Sequence, residues 1–201
     1  YDGNDQVFES QSIKYGMQAT QPVGIPSKDP TIMYQFNFIG WSFDFDTEVK
    51  SEIKVYPVFE QVFRLYTVTF IVGNDIYRTI SVAYGDHAKV PTPTVLGYDF
   101  LGWDQSLNPI VKDLTTQAIL RAKSYEITFD NGYRDGDIMM VEGHMQTLII
   151  DYDERITLPE SVYTRDGYVF VGWRTSDTDY PTFYDKESFR IRDRFSADEL
   201  E

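Results

Sequence analysis

The stretch Gly97-Tyr98-Asp99-Phe100-Leu101-Gly102-Trp103 decides how this sequence is organised, because it recurs. The chain has three Trp residues, and each of them ends a copy of this phrase. Self-similarity at an interval of tens of residues is typical of repeat architectures. The predicted signature residues are Phe38, Gly40 and Trp41 in the first copy, Gly97, Tyr98, Phe100, Gly102 and Trp103 in the second, and Gly167, Tyr168, Phe170, Gly172 and Trp173 in the third.

A second landmark precedes each signature. Tyr15, Tyr84 and Tyr152 each lie seven residues before a proline. Two landmarks in the same order, three times over, predict three tandem repeats with variable loops. The predicted bounds are 1–65, 66–124 and 125–201.

Alternating apolar residues predict strands, because a period of two places one face on a core. Opening strands are expected at 66–70 and 125–129, middle strands at 13–15, 80–84 and 148–152, and closing strands at 53–59 and 118–122. Pro57 cannot donate to a ladder, so we expect an edge or an irregularity there. Asn131-Gly132 predicts a hairpin. Short helices are expected at 46–51, with Asp46 as the cap, and at 112–116.

Composition excludes several classes of function. Eighteen basic and thirty-two acidic residues give a net charge of −14, which counts against binding to nucleic acid or to an anionic membrane surface. The absence of cysteine excludes disulfides, thiolate catalysis and Cys-based zinc sites. No apolar run approaches the ~20 residues of a membrane-spanning helix, and no signal sequence opens the chain, which looks like an excised fragment.

Acidic clusters are the first candidate sites. Such oxygen clusters can bind Ca²⁺, but none has the EF-hand spacing, and a solvated acidic surface is the favoured interpretation. His87 and His144 lack the partners of a catalytic triad, and phosphate-binding loops are absent. The sequence therefore predicts no enzyme, no metal site and no cofactor. The clusters are Asp44, Asp46 and Glu48; Asp135 and Asp137; Asp151, Asp153 and Glu154; and Asp177 and Asp179.

The aromatic residues allow two interpretations. Exposed Trp side chains could stack on sugars, which would make the chain a carbohydrate-binding module. The favoured interpretation is that each Trp closes a small core and that the preceding Gly permits close backbone approach, because a small domain needs every large apolar side chain it has. Tyrosines off the core face are candidate partner contacts: Tyr133, Tyr163 and Tyr180.

Together the signature, the opening Tyr66-Thr67-Val68-Thr69-Phe70 and the Tyr-Gly turn before the proline resemble the Listeria–Bacteroides repeat family, which includes the internalin B-repeats. The resemblance implies an α+β, mainly β fold of three tandem β-grasp-like repeats, each a mixed sheet plus a short helix, in an elongated arrangement. It implies a bacterial cell-surface or extracellular location and a non-catalytic role as a rigid spacer or as an adhesion or protein-interaction module. A host or neighbouring-cell protein or glycan would be the partner.

Two departures from the family pattern concern the ends. Gly3-Asn4-Asp5 aligns with Gly73-Asn74-Asp75, so the first repeat lacks its opening strand. The third repeat reaches Ala197 where its closing strand should start. A sheet that lacks one strand has an unpaired edge. We therefore expect either strand exchange with a neighbouring chain at these ends or partial fraying of the terminal repeats.

Overall fold

The computed structural model is mainly β and describes residues 1–132, 140–175 and 182–196. In these ranges twelve strands and one short helix are formed. They are β1 (Tyr34–Trp41), β2 (Pro57–Phe63), β3 (Leu65–Val72), β4 (Asp75–Ala83), β5 (Tyr98–Trp103), β6 (Leu114–Ala122), β7 (Ser124–Ile127), β8 (Leu148–Asp151), β9 (Arg155–Thr157), β10 (Trp173–Arg174), β11 (Thr182–Phe183), β12 (Ser188–Arg190) and α1 (Ile191–Arg194).

Two compact units divide the chain, and the division passes through β5 and β6. Unit 1 comprises Tyr1–Pro91 and Trp103–Ala118, and unit 2 comprises Thr92–Gly102 and Ile119–Glu201. Each has its own core. In unit 1 the buried cluster is Tyr66, Val68, Phe70, Val82, Ala88 and Ile110, and in unit 2 it is Phe129, Met145, Ile150, Tyr152, Ile156, Leu158, Phe183, Phe189 and Ile191.

The second repeat contains a four-stranded mixed sheet in the order β4-β3-β6-β5. The predicted alternation in β3 is confirmed, since Tyr66, Val68 and Phe70 are buried and their neighbours are not. A two-residue turn at Gly73-Asn74 joins β3 to the antiparallel β4, with Gly73 at φ +62°. On its other side β3 pairs in parallel with β6. The core strand of this repeat therefore has a partner on both edges.

In the first repeat β1 and β2 form an antiparallel pair, and Gln18 and Glu48 form an isolated antiparallel bridge. Pro57 is the first residue of β2, a position where its missing N–H is tolerated. The predicted closing strand is wrong for residues 53–56, which form no strand. The predicted strand at 13–15 is also wrong: Tyr15 lies in a turn, and no strand forms in residues 1–33.

In the third repeat the strands form three separate pairs, β7–β8, β9–β12 and β10–β11. The predicted opening strand ends early, at Ile127, although Phe129 is still buried. The predicted hairpin at Asn131-Gly132 is not seen in the described residues, and residues 133–139, which would follow the turn, lie outside them. Gly132 has φ +73° and its N–H donates to the Asp130 carboxylate, but β7 pairs with the distant β8.

Both predicted helices are wrong. In the first repeat the Asp46 and Thr47 N–H groups donate to the side chain and carbonyl of Asp44, which gives a tight turn capped by Asp44 instead of Asp46. In the second repeat, residues from Leu114 onward already belong to β6. Isolated segments this short do not form stable helices. The one helix in the described ranges, α1, belongs to the third repeat.

Candidate functional site

The signature Trp side chains are half-buried, and the two in the second and third repeats pack on the same kind of partner. Trp103 lies 4.8 Å from Phe70, and Trp173 lies 4.8 Å from Phe129. Both Phe residues come from the opening-strand segment of their own repeat. In the first repeat no strand forms in residues 1–33, and Trp41 contacts Phe38 and Phe8 at 5.4 Å and 5.7 Å.

The indole N–H groups find different acceptors in the three repeats. Trp103 Nε1 donates to the carbonyl of Pro91 at 3.0 Å, which connects the two sequence landmarks of the second repeat. Trp173 Nε1 donates to the Asp185 carboxylate at 3.2 Å. Trp41 Nε1 is buried and has no hydrogen-bond partner among the described residues. Only the first repeat therefore leaves this donor unsatisfied.

The signature glycines are required by the backbone. Gly40, Gly102 and Gly172 have φ values of +157°, +144° and +150°, a region that side chains rarely adopt. A Cβ at Gly40 or Gly102 would meet nothing within 4 Å. The expectation of close backbone approach is therefore wrong for Gly40 and Gly102, and for Gly172 it stays a prediction. That reason applies instead to Gly97, where a Cβ would lie 2.3 Å from the Tyr152 ring.

The tyrosine landmark is a turn with one geometry in all three repeats. In each turn the residue two positions after the Tyr donates its N–H to the carbonyl of the residue that precedes the Tyr. The donor and acceptor are Met17 and Lys14, Asp86 and Ala83, and Glu154 and Asp151. Gly follows the Tyr in the first two repeats, at φ +79° and +84°. These turns end the middle segment of each repeat.

In repeats 1 and 2 the turn holds the segment that follows the Trp. Gly16 N–H donates to Val49 O and Val49 N–H donates to Met17 O, at 2.9 and 2.8 Å. The second repeat has the same pair at 2.7 and 2.8 Å, with Gly85, Ile110 and Asp86 in these places. Val49 and Ile110 are therefore structural counterparts, which the sequence alone did not indicate.

Backbone hydrogen bonds of one pattern connect successive repeats. A single residue, Arg64 or Lys123, separates the closing strand of one repeat from the opening strand of the next. Arg64 N–H donates to Met33 O at 2.9 Å, and Arg64 O accepts the Tyr84 N–H at 2.8 Å. Lys123 N–H likewise donates to Gly97 O at 2.8 Å, and its carbonyl accepts the Tyr152 N–H at 3.0 Å. We call these two connections the repeat junctions.

Aromatic side chains pack over both junctions. The opening-strand Tyr contacts the turn Tyr in each, Tyr66 with Tyr84 at 6.4 Å and Tyr125 with Tyr152 at 6.2 Å. In the first junction the Tyr66 hydroxyl also donates to Ile32 O at 2.6 Å. In the second, Tyr98 packs edge-on against Tyr152 at 5.5 Å. Tyr98 thus contributes to a junction instead of standing free.

The acidic clusters are engaged in local bonds. Glu48 pairs with Lys50, and the Asp44 carboxylate accepts a turn N–H. Asp153 accepts bonds from Tyr98 and Arg192. Within the described residues no group of three His, Asp or Glu side chains could hold a metal ion. Asp135, Asp137, Asp177 and Asp179 lie outside the described residues.

Hydrogen bonds perturb two surface carboxyl groups. The Gln117 N–H and then the Thr116 hydroxyl bind the Asp104 carboxylate and lower its pKa. The hydrogen bond and charge of Lys186 lower the pKa of Glu160, and the reciprocal bond raises the pKa of Lys186. These hydrogen bonds fix the local geometry at each carboxyl group.

The candidate partner tyrosines are only partly described. Tyr163 is half-buried, its hydroxyl donates to Phe129 O at 2.8 Å, and its ring lies 5.9 Å from Trp173. Tyr133 and Tyr180 lie outside the described residues. A partner contact at these tyrosines stays a prediction. The third signature is more exposed than Tyr163. Within it, the side chains of Tyr168, Val169 and Val171 are 64, 86 and 78% exposed.

A family model supplies the family assignment. The Listeria-Bacteroides repeat domain matches residues 66–118 and 125–192, which together are more than half of the chain. The chain belongs to the Listeria-Bacteroides repeat family. Neither a curated protein nor a solved structure matches it.

Listeria-Bacteroides repeats occur in bacterial surface proteins and are generally non-catalytic. The two matched segments begin at the opening strands β3 and β7, so they contain the aromatic pairs Phe70–Trp103 and Phe129–Trp173. Residues 1–65 lie outside the matched segments. No helix in the described ranges is long and apolar enough to cross a membrane. The domain bounds 1–65, 66–124 and 125–201 stay a prediction.

Proposed function

We propose that this chain is a non-catalytic Listeria–Bacteroides repeat region of a bacterial cell-surface or secreted protein, where it acts as a rigid spacer. The supporting observation is the hydrogen-bond pattern that recurs at both repeat junctions. A spacer must transmit orientation from one repeat to the next. A flexible linker rich in Gly and Ser would not transmit orientation.

The junction residue has no free backbone group. The N–H of Arg64 is bound to the preceding repeat and its carbonyl to the following one, and Lys123 is placed in the same way. Rotation about either residue would break both bonds and separate the tyrosine pair beside it. Since a single residue connects two strands, little chain is available for bending.

Surface charge suits a spacer that stays soluble. The net charge of −14 is spread over carboxylates that are mostly exposed. Like charges keep chains apart and disfavour polyanionic partners. A basic or neutral partner, such as a host or neighbouring-cell protein, is therefore the compatible class.

An adhesion or protein-interaction role is the second candidate, and it rests on the exposed third signature. Tyr168, Val169 and Val171 form a short run of exposed apolar side chains, and exposed apolar surface often marks an interaction site. Sugar binding by the indoles is less well supported. Each of the three indoles is half-buried and packed on another aromatic ring.

Distances between spin labels test the spacer role. Because the chain has no native cysteine, the double variant Lys14→Cys/Thr79→Cys places one label in repeat 1 and one in repeat 2. A rigid junction gives a narrow distance distribution. Inserting Gly-Ser-Gly-Ser after Arg64 is the matched control and should broaden it. Equally broad distributions with and without the insertion would refute the spacer role.

A further inference from the structure

In the third repeat, the antiparallel pair of β9 and β12 has one buried face and one outer face. Ile156 lies opposite Phe189, and both side chains belong to the core of unit 2. Successive residues of a strand point to opposite sides of a sheet. The residue pairs on either side of Ile156 and Phe189 therefore have their side chains on the outer face. These pairs are Arg155 with Arg190 and Thr157 with Ser188.

The register of this ladder continues past the strands at both ends. At one end the Leu158 N–H donates to Glu187 O at 2.9 Å. At the other end the next outer position is occupied by Asp153 and Arg192, and Arg192 Nη1 lies 2.6 Å from Asp153 Oδ1. The outer face thus carries three successive pairs, and the two arginines form the middle one.

The middle pair differs from the two pairs beside it. The hydroxyl groups of Thr157 and Ser188 share a hydrogen bond of 2.6 Å, and the pair at the other end is an ion pair. Arg155 and Arg190, which we call the arginine pair, carry the same charge. Within the described residues neither guanidinium group forms an ion pair or a side-chain hydrogen bond. Like charges directly opposite each other destabilise an antiparallel pair.

The carboxyl groups nearest in sequence do not neutralise the arginine pair. Four lie within three residues of Arg155 or Arg190, and each contacts another group. Asp153 accepts bonds from Arg192 and Tyr98, Glu154 from the Asp151 N–H, and Glu187 from Arg194 and the Tyr184 N–H, while Asp193 pairs with Arg192. Among the described residues, the positive charge of the arginine pair therefore has no local counter-charge.

We propose that the arginine pair binds one tetrahedral oxyanion, the phosphate or sulfate group of an ester. The Cβ atoms of directly opposite residues are ~4.5–5.5 Å apart, so two long side chains on one face can reach the same group. Each guanidinium group presents parallel N–H donors that match such oxygens. An ester of this kind offers three free oxygens to the two guanidinium groups, one more than a carboxylate does. Since Arg155 is exposed, the ester substituent can project into solvent.

The net charge of the chain restricts the ligand to an isolated charged group. At an ionic strength of about 0.15 M, charges farther away than about 8 Å are largely screened, so the −14 charge of the chain does not prevent a contact at the arginine pair. A polyanion would bring further charges close to the surface carboxylates and would be repelled. The ligand is therefore a largely neutral molecule that carries one such group. This site goes beyond the spacer role and does not depend on it.

An NMR titration of the full chain with methyl phosphate tests the proposal. The ionic strength is held constant with NaCl, and amide shifts are followed in the ¹⁵N-labelled protein. We expect saturable changes at residues 155–157 and 188–190, and weaker binding of acetate at the same residues. Absence of saturable changes there, or equal affinity for acetate, would overturn the proposal. Inorganic phosphate distinguishes a free ion from an ester: binding of inorganic phosphate alone would also overturn it.

Two variants locate the site. Arg155→Gln removes one guanidinium group from the arginine pair and should weaken methyl phosphate binding by about ten-fold or more. Arg78→Gln removes the same charge from an exposed position of β4 and should leave the affinity unchanged. Equal affinities of the two variants would contradict the site. Arg155→Lys keeps the charge but loses the planar donor group, so its affinity should lie between those of the unaltered protein and Arg155→Gln.

Melting temperatures provide a second test, because the effect of Arg155→Gln should change sign. In dilute NaCl the variant should melt at a higher temperature than the unaltered protein, since it lacks the repulsion within the arginine pair. Methyl phosphate at constant ionic strength should raise the melting temperature of the unaltered protein and not that of the variant, because a ligand stabilises the state that binds it. A lower melting temperature of the variant in NaCl would mean that Arg155 already pairs with a carboxylate of the chain outside the described ranges, and this result would overturn the proposal.

Discussion

At the scale of single residues, glycine and hydrogen-bonded carboxylates determine the local geometry of each repeat. Gly102 has a φ of +144°, and the Trp103 that follows it packs on Phe70. Asp104 follows the same Trp and binds Thr116 and Gln117 of β6. The residues on either side of the signature Trp therefore fix where its side chain and the next strand lie.

Replacing Gly102 by Ala should reduce the free energy of unfolding by about 1–3 kcal/mol, because a side chain is forced into a glycine-only backbone region. Urea denaturation followed by Trp fluorescence measures the change. Ser81→Ala, an exposed position of β4, is the control and should change it by less than about 0.5 kcal/mol. Equal effects of the two substitutions would contradict the strain at Gly102.

The lowered pKa of Asp104 predicts a dependence of stability on pH. A carboxyl group with a lower pKa in the folded state stabilises the fold above its ordinary pKa, and the contribution is lost as the pH falls through the lowered folded value. As the pH is lowered from 6, the melting temperature of Asp104→Asn should therefore fall less steeply than that of the unaltered protein. Thr116→Val removes one donor and should give an intermediate slope. If the melting temperatures of the unaltered protein and of both variants changed with pH in parallel, the hydrogen bonds to Asp104 would not contribute to stability.

At the scale of elements, the opening strand organises a repeat. In the second repeat β3 has a partner on each edge and supplies the aromatic ring against the signature Trp. No strand forms in residues 1–33 of the first repeat, and residues 53–56 there have no strand partner. Pairing on both edges of β3 therefore gives the second repeat its four-stranded sheet.

Phe70→Ala should cost about 3–5 kcal/mol of unfolding free energy, since Phe70 is fully buried and its loss leaves a cavity beside Trp103. Leu65→Ala removes a 62% exposed side chain from the same strand and should cost less than about 0.5 kcal/mol. Chemical denaturation followed by Trp fluorescence compares the two. Similar losses would mean that β3 does not form the core of its repeat.

At the scale of the whole molecule, two small cores share one strongly acidic chain. Each unit has its own buried cluster, and the ion pairs on the surface are exposed and weak, such as Lys50–Glu48 and Arg121–Asp99. A net charge of −14 therefore acts mainly as self-repulsion, which favours expanded states over compact ones.

Salt should consequently stabilise the protein. Raising the ionic strength from about 0.01 M to about 0.15 M shortens the screening length from about 30 Å to about 8 Å, so the melting temperature should rise. Differential scanning calorimetry in NaCl measures the rise, and KCl at equal ionic strength is the control for a specific sodium effect. A constant or falling melting temperature in both salts would contradict net repulsion.

Sequence alone determined the family, the mainly β class and the strands with strong alternation. Tyr66, Val68 and Phe70 alternate because one face of β3 is buried, and the repeated Gly-Trp phrase is visible without any structure. Periodicity and repetition are local properties of a chain, so a sequence displays them. The same local patterns wrongly predicted helices at 46–51 and 112–116 and strands at 13–15 and 53–56.

Tertiary structure decided how each repeat is completed. Residues 114–117 form a strand because residues 68–71, which are distant in sequence, pair with them, whereas residues 53–56 have no such partner and form none. The junctions at Arg64 and Lys123 are likewise made by backbone groups, which carry no sequence signal. Backbone hydrogen bonds between distant segments are specified by the fold as a whole, and this is why only the structure shows the junctions.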